Sequence, residues 1–292
     1  LGFFLRKRKM SWMIWGVMTL GFLLLVIPNI MMEMKGNPNI QEMGVDISDG
    51  NMEGKEVRFG SAASAYWSIV TTVISTGSVN SMHDSYMPLS GMNMMLSMMT
   101  NTFYGGVGVG ILNFFVFIIL AVFISGLMVG RTPEFLGKKV GAREMKIAMI
   151  VALVHPFLIL IGTALSAAMP LLTLDTLNNP GFHGFSEMLY EFTSASANNG
   201  SGFEGLGDNT PWWNISTGFV LILSRFIPII GPVAIAGSLS AKKYIPDSAG
   251  TLRTDSPTFG VMVFVVIAII AALSFFPALS LGPIADYFTM IH

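Results

Sequence analysis

The sequence predicts an all-α integral membrane protein of about five transmembrane helices plus two re-entrant pore-helix and filter-loop segments. Three observations carry that prediction. Hydrophobic residues fill 52% of the 292 positions and charged ones only 11%, with a mean hydropathy of +0.65. Five apolar stretches reach the ~20 residues needed to cross about 30 Å of hydrocarbon. Two short polar stretches built around a glycine, Ser75–Asn80 (STGSVN) and Ala197–Gly202 (ANNGSG), lie between those spans. Lipid offers the backbone no hydrogen-bonding partner, so polar, non-helical chain at membrane depth is tolerated where it lines a water- or ion-filled cavity.

The spans follow in order. Residues 1–10 carry Arg6, Lys7, Arg8 and Lys9, and the apolar run Ser11–Ile30 comes next. Its length exceeds a signal-peptide core and no small-residue cleavage site follows, so it predicts a retained helix. The chain starts at Leu1, from which a processed or truncated start is expected. Val107–Gly130, Ile147–Met169, Trp212–Leu239 and Thr258–Leu281 complete the set. Between them, Ala62–Ile74 and Ser186–Ser196 are helical in pattern but span only about three turns at ~1.5 Å per residue, and each leads into a polar loop. With Gly77 set over Gly200, 123 residues apart, Trp67 pairs with Tyr190, Thr71 with Ser194 and Ser78 with Ser201.

Charge gives the orientation. Four basic residues in 1–10, five in 131–146 (Arg131, Lys138, Lys139, Arg143, Lys146) and three in 240–257 (Lys242, Lys243, Arg253) make twelve of the sixteen. Lys and Arg favour cytoplasmic connections, so the N-terminus is expected in the cytoplasm and 61–106 and 184–210 are expected to enter and leave from outside. Most acidic residues fall on the outer segments, including Glu187, Glu191, Glu204 and Asp208 around the second loop. Such a field concentrates cations.

The loops suit cation binding by backbone carbonyls, which replace the hydration shell of K⁺ when several converge. Short helices aiming their carbonyl ends at the loop favour the same charge. Gly77 and Gly200 adopt positive φ without a Cβ penalty, and a Cβ at either is expected to crowd the converging carbonyls. The candidate site is Ser75, Thr76, Gly77 and Ser78 with Asn198, Asn199, Gly200 and Ser201, and the ligand is K⁺, with no organic cofactor.

Other signals are weaker. Arg225 sits mid-span, where a charge costs about 2.5–3.5 kcal/mol on insertion scales, and reads either as an electrostatic element of an ion path or as a packing residue paired to a carbonyl or acid. His83-Asp84 reads as a hydrogen-bonded pair closing the first loop, since His155, His183 and His292 show no metal-ligand spacing. Gly200-Ser201-Gly202 misses the nucleophile-elbow pattern. GGVGVG (105–110) misses the dinucleotide spacing and reads as a helix break or close helix packing. Asn214-Ile215-Ser216 fits a glycosylation acceptor but begins a span. Cysteine is absent, which removes disulfides and thiolate sites, and a net charge of −1 gives no footprint for nucleic acid.

The strings TTVISTGSVNSMHDS (71–85), GGVGVG (105–110), ISGLMVGRTPEFLGKKVGAREMK (124–146), NPGFHGFSEMLYEFTSASANNGSGFEGL (179–206) and FPALSLGPIADY (276–287) resemble the potassium-binding and translocating subunit of the Kdp-type K⁺-transporting P-type ATPase. The resemblance runs from about Ala62 to Tyr287 and places the chain in a superfamily of K⁺ transporters built from four helix–pore-loop–helix repeats. It implies that this chain is roughly the C-terminal half of such a subunit: a third repeat over 1–139, a fourth over 140–243, and a linker with terminal helix over 244–292. It implies that Gly77 and Gly200 are the filter glycines of those repeats and that Arg225 matches a family arginine. An acidic residue that the family carries just before the glycine string is replaced here by Asn101-Thr102. The chain has neither a phosphate-binding loop nor a DKTG phosphorylation string. The resemblance therefore implies ATP hydrolysis on a separate P-type ATPase catalytic subunit, with small accessory membrane subunits as further partners, in the cytoplasmic (inner) membrane of a bacterium or archaeon. Lys138, Lys139 and Arg143 form a candidate docking surface. The alternative function is a membrane scaffold or assembly subunit whose polar loops are structural turns.

Overall fold

The computed structural model describes residues 2–3, 6–128, 130, 132–246 and 253–291. Leu1, Arg131, His292 and part of the last linker lie outside the described residues. The first helix, α1 (Arg8–Lys35), is followed by the short α2 (Pro38–Glu42), then α3 (Gly60–Val73), α4 (Pro88–Thr100) and α5 (Val109–Met128). A two-residue hairpin, β1 (Glu134–Phe135) against β2 (Lys138–Lys139), precedes α6 (Ala142–Ala168), the short α7 (Pro170–Thr173), α8 (Phe182–Ala197) and α9 (Pro211–Ser240). α10 (Pro257–Leu279) passes through a π turn at Ser280–Ile284 into α11 (Ala285–Ile291).

Helix starts follow local chemistry. Thr210 and Ser256 accept the backbone N–H of Trp213 and Phe259, and Pro211 and Pro257 hold the first helical position, where a missing N–H costs nothing. Five helices are long and apolar enough to cross a membrane, those beginning at Arg8, Val109, Ala142, Pro211 and Pro257. Their outward faces are apolar at a spacing of four: Leu153, Phe157, Ile161 and Leu165 on α6, and Val261, Val265, Ile269 and Leu273 on α10. Residues four apart share one helix face, so these stripes are continuous apolar surfaces unsuited to water. The protein is a multi-pass membrane protein, as its composition predicts.

The short helices pack against these spans. α3 packs on α1 and α4, and α8 packs on α6 and α9. α4 stands between the two halves, touching α1, α3, α8 and α10, and it buries Met94, Met95, Met98 and Met99. Unbranched methionine fills the irregular gaps where four helices meet. The span pattern does not announce α4: its MPLSGMNMMLSMMT context is short and diluted by Ser, Asn and Gly. Within 61–106 the chain forms α3, a polar loop, and then α4, which ends at a break over residues 101–108 before α5 resumes.

The end of α1 is locked by a buried ion pair. Glu33 accepts from Lys55 Nζ at 2.9 Å, from Asn51 Nδ2 at 2.9 Å and from the Met87 backbone N–H at 2.9 Å, with both charged side chains fully covered. Lys55 also lies 4.0 Å from the Tyr86 ring centre. Removing one partner leaves the other charged and buried, so Glu33→Ala is expected to cost about 3–5 kcal/mol in detergent unfolding. The double variant Glu33→Gln with Lys55→Met is expected to lose much less.

Candidate functional site

The two polar loops follow α3 and α8 and are built on the same plan. α3 ends at Val73 and α8 at Ala197. Two residues beyond the end of α3 and one beyond that of α8, Ser75 and Asn198 take left-handed backbone, with φ of 52° and 54°. Gly77 and Gly200 follow at φ 69° and 99°. The 123-residue offset relates both pairs. In the first loop the Thr71 carbonyl accepts the Thr76 N–H at 3.2 Å, and in the second the Ser194 carbonyl accepts the Asn199 N–H at 2.9 Å. Trp67 Nε1 donates to the Ser78 carbonyl at 2.8 Å, and the Tyr190 hydroxyl meets Ser201 Oγ at 2.9 Å. Each predicted pair, Trp67/Tyr190, Thr71/Ser194, Gly77/Gly200 and Ser78/Ser201, occupies equivalent positions.

The offset extends further than the sequence pattern alone suggests. Pro88 and Pro211 open α4 and α9. Ser75 Oγ approaches Asn101 Oδ1 at 3.5 Å, and Asn198 Nδ2 donates to Ser224 Oγ at 3.1 Å. Asn101 and Ser224 are again 123 residues apart. The break after α4 therefore corresponds to mid-α9, where the helix continues through Arg225. Arg225 Nε donates to Asn198 Oδ1 at 2.6 Å, so the arginine braces the left-handed residue that turns α8 into its loop.

The loops touch. Asn199 Nδ2 donates to the Thr71 carbonyl at 2.8 Å, while Asn199 Oδ1 accepts from Ser201 N–H at 3.0 Å and Ser201 Oγ at 2.6 Å. A Cβ on Gly77 would overlap the Asn199 carbonyl oxygen, whereas one on Gly200 would meet nothing within 4 Å. Crowding therefore explains glycine at 77 only, and the positive φ explains it at 200. Donor counting fixes a chain of hydrogen bonds behind the second loop. Asn199 Oδ1 only accepts, so Ser201 donates to it, Tyr190 donates to Ser201, and His83 Nδ1 donates to the Tyr190 hydroxyl at 3.0 Å. Burial, aided by Lys55, pushes His83 down to about 4, which keeps it neutral.

The carbonyls remain. Among the described residues, no protein donor reaches the carbonyl oxygen of Ser75, Thr76, Gly77, Asn198, Asn199 or Gly200. The carbonyls of Thr71, Ser78 and Ser194 are engaged, by Thr76 and Asn199, by Trp67, and by Asn198 and Asn199. Six oxygens without a protein donor in two abutting turns have the chemistry that cation coordination requires.

Around this core Glu187 is buried and Glu191 half-buried, while Glu204 and Asp208 keep exposed surface. Burial and nearby Asp208 push Glu191 up to about 7, and burial raises Glu204 and, with Asp84, Glu187. His83 and Asp84 do not close the first loop as a pair. Asp84 instead accepts from His183 Nε2 at 2.9 Å, and His183 Nδ1 meets Asp286 at 2.9 Å. Asp84, His183 and Glu187 bring ligand-type atoms within 4.8 Å of one another, a grouping that sequence spacing misses because Asp84 lies far along the chain from His183 and Glu187, which share one face of α8. Both His183 nitrogens are engaged, and Glu187 accepts the N–H groups of Asn178 and Asn179, so the cluster is a closed hydrogen-bond network tying α11 to α8. Lys138 donates to the Lys242 carbonyl, while Lys139 and Arg143 are exposed.

A membrane helix bundle that carries two equivalent turns, each entered from a short helix, defines a class, the multi-pass membrane proteins with paired re-entrant loops. Known proteins narrow that class. A family model, KdpA: Potassium-transporting ATPase A subunit, matches residues 1–288, and the chain belongs to that family. It is 68% identical to the potassium-transporting ATPase potassium-binding subunits of Flavobacterium psychrophilum and Flavobacterium johnsoniae, and 64% identical to that of Parabacteroides distasonis. Each match covers 99% of this chain and 52% of the relative, so the chain spans about half the length of the curated relatives it matches.

The His183 network predicts a pH dependence. Burial opposes the imidazolium, but hydrogen bonds to Asp286 and Asp84 outweigh it and raise His183 from 6.5 to about 10. A raised pKa stabilises the fold fully below 6.5, and that contribution is lost as pH rises through 10. The thermal midpoint in detergent is expected to fall between about pH 7 and about pH 10.5, and His183→Asn is expected to flatten that fall.

Proposed function

We propose that this chain is part of the K⁺-selective binding and translocation subunit of an ATP-driven potassium uptake complex. The carrying observation is the set of six free carbonyl oxygens in two turns related by one offset. Carbonyls of moderate field strength replace the hydration shell of K⁺ without a formal charge that would hold the ion too tightly to release. The loops Ser75–Ser78 and Asn198–Ser201 supply two sides of the ring, and Gly77 and Gly200 allow it to form. The chain divides into a repeat over 1–139, a second over 140–243 and a terminal unit over 244–292, and matching segments elsewhere in a protein of twice this length supply the other sides.

ATP hydrolysis belongs to a separate P-type ATPase catalytic subunit, accompanied by small accessory membrane subunits in the bacterial cytoplasmic membrane. The N-terminus faces the cytoplasm, as the basic connections favour. On that side Lys139 and Arg143 are exposed, while Lys138 and Lys242 bind the two basic connections into one platform, which is the docking surface for the catalytic subunit.

The test is K⁺-stimulated ATPase activity of the assembled complex, with this half joined to the N-terminal half of a relative. Gly77→Ala and Gly200→Ala are expected to weaken K⁺ stimulation at least roughly tenfold and to admit Rb⁺ or Na⁺, with Gly77→Ala the more severe because it is blocked sterically as well as by φ. Unchanged selectivity would make the loops structural turns of a scaffold protein. Replacing Lys138, Lys139 and Arg143 by Ser is expected to lower K⁺-coupled ATPase activity while leaving K⁺ binding intact, measured by Rb⁺ retention; unchanged coupling would sink the docking assignment.

A further inference from the structure

The break between α4 and α5 leaves the last carbonyls of α4 without helical partners, and in a membrane such orphans are costly. One of them, the Met98 carbonyl, accepts a hydrogen bond at 3.0 Å from His155 Nε2 on α6. The other ring nitrogen, Nδ1, lies 2.7 Å from Ser196 Oγ in the last turn of α8. A carbonyl only accepts, so Nε2 carries the proton, and in the neutral ring Nδ1 accepts the Ser196 hydroxyl. Phe275 of α10 meets the ring edge at a centroid distance of 6.2 Å. The imidazole thus joins the end of α4 in the first repeat to the last turn of α8 in the second.

What it joins bears on the ion path. Three residues beyond Met98, Asn101 faces Ser75 at the base of the first loop, and the Gly105 N–H donates to the Val73 carbonyl at 3.0 Å. Two residues beyond Ser196, Asn198 begins the second loop. Below both loops lies a cavity of about 40 Å³ lined by Asn101, Asn113, His155 and Ser224 among others, room for a water-sized guest.

We propose that His155 is a positioning residue of the ion path, holding the break over residues 101–108 in register with the second loop so that the two rearrange together. This rests on the potassium-transport reading. The two bonds have separable consequences: the Ser196 bond sets the Asn198–Ser201 loop and hence K⁺ affinity, and the Met98 bond sets the break beneath the first loop and hence throughput.

The test is K⁺-stimulated ATPase activity of the complete complex, reading apparent K⁺ affinity and maximal rate separately, with assembled yield as a control. His155→Asn places an amide near the Nδ1 position and keeps the Ser196 bond; His155→Gln reaches the Nε2 position and keeps the Met98 bond. Asn is expected to retain affinity within about twofold and lose roughly tenfold in rate, Gln the reverse, each the effect of one hydrogen bond of ordinary net worth. Loss of both parameters together in both variants, or of neither, would overturn the assignment. Failure of the parent complex to respond to K⁺ would instead refute the transport reading, so the two failures are distinguishable.

Discussion

The rest of the site depends on the hydrogen bond from Asn199 to the Thr71 carbonyl. It ties the second polar loop to the last turn of α3, from which the first loop springs, and both polar atoms of the Asn199 side chain are engaged. Its amide N–H holds the last turn of α3, and its oxygen orders the second loop through Ser201. Behind it the chain of donors from His83 through Tyr190 has one direction only, set by the acceptor-only oxygen at its end. Donors on the outer side of each turn leave the carbonyls of Ser75–Gly77 and Asn198–Gly200 without protein partners. In an apolar medium a free carbonyl is costly, so six together are stable only if something cationic or aqueous meets them.

Two repeats of one plan differ in how their second helix passes the loop. α9 runs unbroken, and its Arg225 side chain braces Asn198. In the first repeat the equivalent helix stops at Thr100, and Asn101, Asn113 and His155 satisfy the chain around the gap. The break tucks glycine-rich backbone under one loop while the other loop rests on continuous helix.

Much of this is legible in the sequence. The five spans emerge within a few residues of their helices because lipid demands long apolar runs, and the Gly77/Gly200 offset correctly pairs Trp67 with Tyr190 and Ser78 with Ser201. Extending the same offset to Pro88 and Pro211 is the available signal for α4, which hydropathy obscures because Met, Ser and Asn dilute it. The role of Gly200 differs from expectation: its Cβ position is open, and only φ requires glycine. His83 and Asp84 are adjacent in sequence but bond to Tyr190 and His183 on α8, contacts about 100 residues distant that no local pattern encodes. His155 gives no motif because its work is to satisfy a carbonyl exposed by a break elsewhere.

The most direct measurement is the anomalous scattering of Rb⁺ or Tl⁺ bound to the complete complex. Density ringed by the carbonyls of Ser75–Gly77 and Asn198–Gly200 is the predicted result. Ions bound elsewhere, with these turns unoccupied under conditions that support K⁺-stimulated activity, would contradict the account.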